Sequence, residues 1–218
     1  LIFNRLIWFV PTLFGLLALV FTISHIIPAD PVAFLAGDNA TNEQIADLRA
    51  QYGFDKPLYI QFFNYVLGTF QGDLGISLYT QRPITDDLLG RLPATLELTF
   101  VAVLVSAILG VPLGVIAAVY RNSLADHILR LITVSGLAIA SFWLAILFQL
   151  FFAMELQWTP LQGRIDGWGP DHITGFFLLD SLLTQDWEVF GSAFSHLILP
   201  VTTLAFPAMA TIVRFTRA

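Results

Sequence analysis

The sequence of 218 residues has no cysteine, which excludes disulfides and thiolate-bound metals and leaves the redox compartment undefined. Charge is scarce as well. Asp, Glu, Lys and Arg make up 12% of the chain, against about 25% in an ordinary soluble domain. The formal charge of −6 argues against a nucleic-acid partner. There is no His-Glu-x-x-His helix, no Gly-x-Ser-x-Gly elbow and no phosphate-cradling Gly-x-x-x-x-Gly-Lys, so zincin, hydrolase and ATP-binding readings lose their motifs. Ser24-His25 and Ser195-His196 are adjacent pairs that do not face each other on a helix, so neither makes a nucleophile and its base.

Apolar residues are abundant, at 56% of the chain with a mean hydropathy of +0.76. Four runs, 6–29, 98–120, 131–154 and 189–213, carry no Asp, Glu, Lys or Arg. A helix needs roughly 20 residues to cross a bilayer core, and each run is long enough. Barrel strands alternate over about ten residues, so continuous runs of this length fit helices. The expected fold is therefore all-α: a polytopic transmembrane bundle of four spans with amphipathic external helices. The first run exceeds the usual length of a signal-peptide apolar region and reads as a retained anchor.

Four spans place both termini on one side. That side holds Arg5, Arg121, Arg130, Arg214 and Arg217 against one acid, Asp126, and reads as cytoplasmic. The expected order is a first span within 1–29, an external segment 30–92, a second span 93–120 and a short cytoplasmic link 121–130. A third span 131–154, an external loop 155–195, a fourth span 196–213 and a cytoplasmic segment 214–218 follow. Within the first external segment, Thr41 and Gln44 form a capping box ahead of a short helix that should stop at Gly53. Pro57 opens an aromatic-rich helix over 58–70, and 83–91 reads as a further short amphipathic piece before Pro93 starts the second span.

Several residues are candidates for a role in a membrane pathway. Glu97, in the first turn of the second span, is favoured there by the helix dipole, and an external carboxylate suits a peptide's amino terminus. Ser141, Gln149, Thr202 and Thr203 are uncharged polar residues within spans; Gln149 stands out because lipid offers its amide no partner. Gly110 with Gly114, and Gly136 with Ala140, have the small-xxx-small spacing that lets helices approach closely. Pro11, Pro112, Pro200 and Pro207 each remove a backbone donor inside a span and allow bending. Residues that could ligate a metal show no recognisable spacing.

Taken in order, the motifs resemble the inner-membrane permease subunit of a bacterial ABC importer of the dipeptide, oligopeptide and nickel family. They are Gly53-Phe-Asp-Lys-Pro57-Leu58, Gly72-Asp-Leu-Gly-Ile-Ser77, Pro93-Ala-Thr-Leu-Glu-Leu98, the stretch from Gly110 to Ala118, Arg121-Asn-Ser123 with Asp126, Phe142-Trp143, His196-Leu-Ile-Leu-Pro200 and Arg214-Phe-Thr-Arg217. The loop segments Thr159-Pro-Leu-Gln-Gly-Arg164, Thr174-Gly-Phe176 and Leu179-Asp-Ser181 are similar to dipeptide-type members, with nickel or another small solute the alternative. Two positions depart from the family pattern: Ala29 replaces a turn glycine, and Ala140-Ser141 stand where a proline would bend the third span.

The resemblance implies a transport subunit, not an enzyme, that moves short peptides across the bacterial inner membrane by alternating access. Its implied partners are a homologous second permease, two ATPase subunits and a periplasmic substrate-binding protein, and the chain itself needs no cofactor because ATP and magnesium sit on the ATPases. Family members have about six spans and an ATPase-docking loop after the fourth. Arg214, Thr216 and Arg217 would then be the approach to that loop, with the rest of the protein beyond Ala218. An intramembrane enzyme or a scaffold without an energised partner are the rival classes.

Overall fold

The computed structural model describes residues 2–26, 32, 36–37, 40–77, 79–170 and 173–218, the side chains of 2–4, 6, 24–26 and 125 excepted. Residues 28–31, which include the departure at Ala29, and the side chains of Ser24 and His25 lie outside the described residues. The described residues are helical, with no named strand among them. Two compact units are formed, Leu1–Leu89 and Gly90–Ala218.

In the first unit, α1 runs Ile2–Ile26, α2 Asn42–Tyr52 and α3 Leu58–Gln71. The Thr41 side chain accepts from the Gln44 backbone and the Gln44 side chain accepts from Thr41, which closes the capping box that the spacing predicts. Gly53 ends α2 at φ 72°, a left-handed position that costs glycine nothing, and Gly72 ends α3 in the same way at φ 85°. α3 lies against α1 through aromatic edges: Phe62 meets Phe14 and Phe21 at centroid distances of 5.5 and 5.2 Å. In α1 the stretch Ile7–Ile23 is apolar but shorter than a full span by itself.

Helix α4 runs unbroken over Ile84–Val119, so the piece at 83–91 and the second span are one helix rather than two. Pro93 and Pro112 both lie inside it and do not end it. The second unit continues with α5 (Leu124–Ala138), α6 (Ser141–Phe148), a π-helical turn (Gln149–Glu155), α7 (Phe177–Leu183) and α8 (Trp187–Arg217). α4 and α8 are each long and apolar enough to cross a membrane.

The third expected span is the point at which sequence and structure part. Residues 131–154 read as one continuous rod, yet the segments Asp126–Ala138 and Ser141–Glu155 are bent by 103°. Ile139 and Ala140 are both extended, at φ −81°, ψ 127° and φ −65°, ψ 127°, so the helical hydrogen-bond ladder is interrupted there. The bend does not need the proline that Ala140-Ser141 replaces: two residues in the β region suffice. The pair therefore forms a broken span or a re-entrant loop, and among the described residues two helices are long and apolar enough to cross a membrane, or three spans if the pair is one.

In the second unit, α8 packs against α5, α6 and α7. Small residues face inward: Ala102, Ser106, Gly110, Gly114 and Ala117 are buried along one stripe of α4, while Val103, Leu104, Ile108 and Val115 are exposed. This inversion, small side chains inside and large apolar ones outside, suits a helix whose outer solvent is lipid.

Candidate functional site

Three polar clusters in the second unit stand out from the apolar background. The first ties α4 to the loop before α7. Glu97 is buried, and its Oε2 accepts a 2.7 Å hydrogen bond from Arg164 Nη2 while its Oε1 accepts one of 2.7 Å from the Leu178 backbone. Arg164 also donates to the Gly175 carbonyl at 3.2 Å and lies over the Phe177 ring, 3.6 Å from its centroid. Both carboxylate oxygens of Glu97 are thus engaged within the chain. Its cationic partner is the Arg164 guanidinium.

Asp180 organises the same loop. Its carboxylate accepts from the Thr174 backbone at 2.9 Å, the Thr174 hydroxyl at 2.5 Å and the Gly175 backbone at 2.9 Å. Burial opposes its ionisation, but the hydrogen bonds from Thr174, Gly175 and Ile173 outweigh burial and hold the carboxyl below its usual range.

The second cluster surrounds a cavity of about 220 Å³ lined by Gln149, Gly163, His196, Leu199 and Thr203 among others. Gln149, the first residue of the π-helical turn, donates from Nε2 to the Leu161 carbonyl at 2.8 Å. Thr203 is buried and donates to the Leu199 carbonyl at 2.8 Å. His196 Nδ1 is 2.8 Å from the Ser192 carbonyl, so Nδ1 carries the proton in the neutral ring, and the buried Nε2 has no hydrogen-bond partner among the described residues. Thr202 lies instead on a separate apolar cavity of about 480 Å³ with Phe148, Phe152, Trp158 and Ile198, and its hydroxyl bonds back to Ile198 and Leu199. Ser141 is exposed at the start of α6. The pathway candidates therefore separate: Gln149 and Thr203 share a cavity, whereas Glu97, Ser141 and Thr202 lie elsewhere.

The third cluster joins the α4–α5 link to the end of α8. Asp126 is fully buried and accepts from Arg217 Nε at 2.6 Å and Nη2 at 2.8 Å. It also accepts from Arg130 at 3.2 Å and from the Asn122 backbone at 3.0 Å. Arg214 points outward over Phe215, at 5.6 Å from its centroid, and Thr216 lies beside Gly114. A Cβ on Gly114 would sit 2.5 Å from the Thr216 Cβ, and one on Gly110 would sit 3.0 Å from Ile212. Gly136 lies against Phe206 and Ala210, while Ala140 is exposed.

The sequence singles out Gln149 and Thr203 as polar residues within spans but offers His196 as half of an adjacent Ser-His pair, with no signal that it neighbours them. Glu97 and Arg164 lie 67 positions apart, and no local pattern links them.

The family model described as "Binding-protein-dependent transport system inner membrane component" matches residues 110–218, and that of its N-terminal part matches 1–99. The chain belongs to the binding-protein-dependent transport system inner membrane component family. Among its relatives is "Probable D,D-dipeptide transport system permease protein DdpB" of Escherichia coli, 45% identical, with 94% of this chain and 61% of the relative covered. "Di/tripeptide transport system permease protein DppB" of Pseudomonas aeruginosa is 38% identical, with 99% and 65% covered. "Glutathione transport system permease protein GsiC" of Escherichia coli is 36% identical, with 100% and 62% covered. The chain spans 61 to 65% of the length of these relatives.

Proposed function

We propose that the chain is part of the permease subunit of an ATP-driven importer that moves short peptides across the bacterial inner membrane. The observation that carries this reading is similarity over 94 and 99% of this chain, at 45 and 38% identity, to permeases named for D,D-dipeptide and di/tripeptide transport. The protein is a transport subunit that pairs with a homologous permease and receives substrate from a periplasmic binding protein. ATP and magnesium are handled by two partner ATPases, and no chemical step falls to this chain.

In this reading α1, α4, the bent α5–α6 pair and α8 cross the bilayer, with the N-terminus and the Asp126 end cytoplasmic. The loop held by Glu97, Arg164 and Asp180 then faces the periplasm together with the amphipathic helices α2 and α3. Alternating access needs an element with two packings that partners can bias. Two features support that role: the bend at Ile139 and Ala140, and the Arg217 clamp, which ties the end of α8 to Asp126 in the first turn of α5.

The test is uptake of a labelled dipeptide into proteoliposomes holding the full-length protein with its partners. ATP-dependent uptake competed by unlabelled dipeptides is the expected result. Uptake competed by nickel but not by dipeptides would move the substrate to the metal-transporting branch, and no ATP-dependent uptake of either would reject the importer.

A further inference from the structure

The cavity at Gln149, His196 and Thr203 has an unusual hydrogen-bond inventory. The Ser192 carbonyl fixes the imidazole proton on Nδ1, so Nε2 presents a lone pair in the neutral ring. The residue is 8% exposed, and Nε2 finds no hydrogen-bond partner among the described residues. A buried polar atom in that state carries a desolvation cost that a ligand can relieve. The Gln149 amide nitrogen donates one of its two protons to the Leu161 carbonyl, and Oε1 is left as an acceptor. Thr203 spends its one proton on the Leu199 carbonyl, which leaves oxygen lone pairs.

Apart from the second Gln149 amide proton, the free polar groups that these three side chains offer are acceptors. Beside them, Asp166 Oδ1 lies 3.7 Å from His196 Nε2, a separation that a single nitrogen can bridge with two hydrogen bonds of ordinary length. Gly163, at φ 97°, brings bare backbone to the same place: a Cβ there would come within 3.8 Å of Nε2. No Lys or Arg is among the lining residues.

We infer that this cavity is a subsite for the ammonium end of the transported peptide, held by His196 Nε2 and Asp166 with Gln149 and Thr203 as further acceptors. The inference rests on the peptide-importer reading and assigns the task considered for Glu97 to a different place. An ammonium carries three donors and a positive charge and matches an acceptor set beside a carboxylate. A peptide whose amino group is acetylated keeps one donor and loses the charge.

The experiment compares uptake of Ala-Ala and N-acetyl-Ala-Ala by the complete transporter, in the wild type and in the variants His196→Phe and Thr203→Val. The same binding protein serves every arm, so its own selectivity cancels when the ratio of the two rates is compared between variants. The expected result is a ratio that falls by at least about tenfold in His196→Phe and by a smaller factor in Thr203→Val, since each variant removes an acceptor for a charged donor. An unchanged ratio in a variant that still transports Ala-Ala overturns the subsite. If His196→Phe does not assemble, the Thr203→Val ratio decides in the same way, because that change keeps the side-chain shape. Absence of Ala-Ala uptake in the wild type refutes the peptide reading instead.

Discussion

Asp126 holds Arg217 side-on, through Nε at 2.6 Å and Nη2 at 2.8 Å, across 91 positions of sequence. Two parallel charge-assisted bonds fix direction as well as distance, so the end of α8 is set relative to the first turn of α5. Arg130 and the Asn122 backbone use further lone pairs of the same carboxylate, which makes Asp126 the hub.

Asp126→Asn and Arg217→Gln are expected to lower thermal stability in detergent by similar amounts, and the double variant should lose little more than the worse single one. Thermal denaturation of the four proteins measures that coupling. Full additivity would show that the two residues act independently.

Gly114 gives the helix approach a sharper test. Gly114→Ala places a methyl 2.5 Å from the Thr216 Cβ, inside van der Waals contact, and overpacking of this kind costs about 1–3 kcal/mol. Adding Thr216→Ala leaves the Cβ in place, so rescue should be partial, whereas Thr216→Gly should rescue more fully. Gly191→Ala, where nothing lies within 4 Å, serves as the control and should not destabilise.

The spacing of Gly110 and Gly114 marked the face of α4 that meets another helix, because only small side chains let backbones come that close. It did not show that the knob is Thr216. The capping box at Thr41 and the stop at Gly53 were legible because both are local events within a few residues. The break at Ile139 was not, since hydropathy reports transfer into lipid and carries no information about chain direction. Likewise, the engagement of Glu97 by Arg164, and the unpartnered Nε2 of His196, depend on how a loop folds back over the bundle. Such contacts have no sequence period to betray them.

Arg164→Ala leaves the Glu97 carboxylate buried without its cation, a loss of about 3–5 kcal/mol in systems of this kind. The double variant Glu97→Gln, Arg164→Met removes both charges and should recover part of that loss. Unfolding midpoints in the same detergent distinguish the two, and equal losses would mean that the charge pair is not what matters at this position.

Asp180 gives the loop a pH dependence of defined sign. Its folded carboxyl is held below the unfolded value of about 3.9, so the stabilisation is complete above that value and is lost as pH falls through the folded one. Between pH 7 and pH 3 the wild type should therefore lose more stability than Asp180→Asn, which carries no titrating group there. Parallel pH profiles would contradict the assignment.

The arrangement of the chain across the bilayer underlies every functional step, and because these 218 residues contain no cysteine it is directly measurable once any cysteine outside them is replaced. Single cysteines at Asn122 and Gln162 in the full-length protein, probed in intact cells and in inverted vesicles with a membrane-impermeant maleimide, report the two ends of the bundle. The account predicts labelling of Gln162→Cys in cells and of Asn122→Cys only in inverted vesicles. Labelling of Asn122→Cys in intact cells would place the Asp126 clamp in the periplasm and contradict the account.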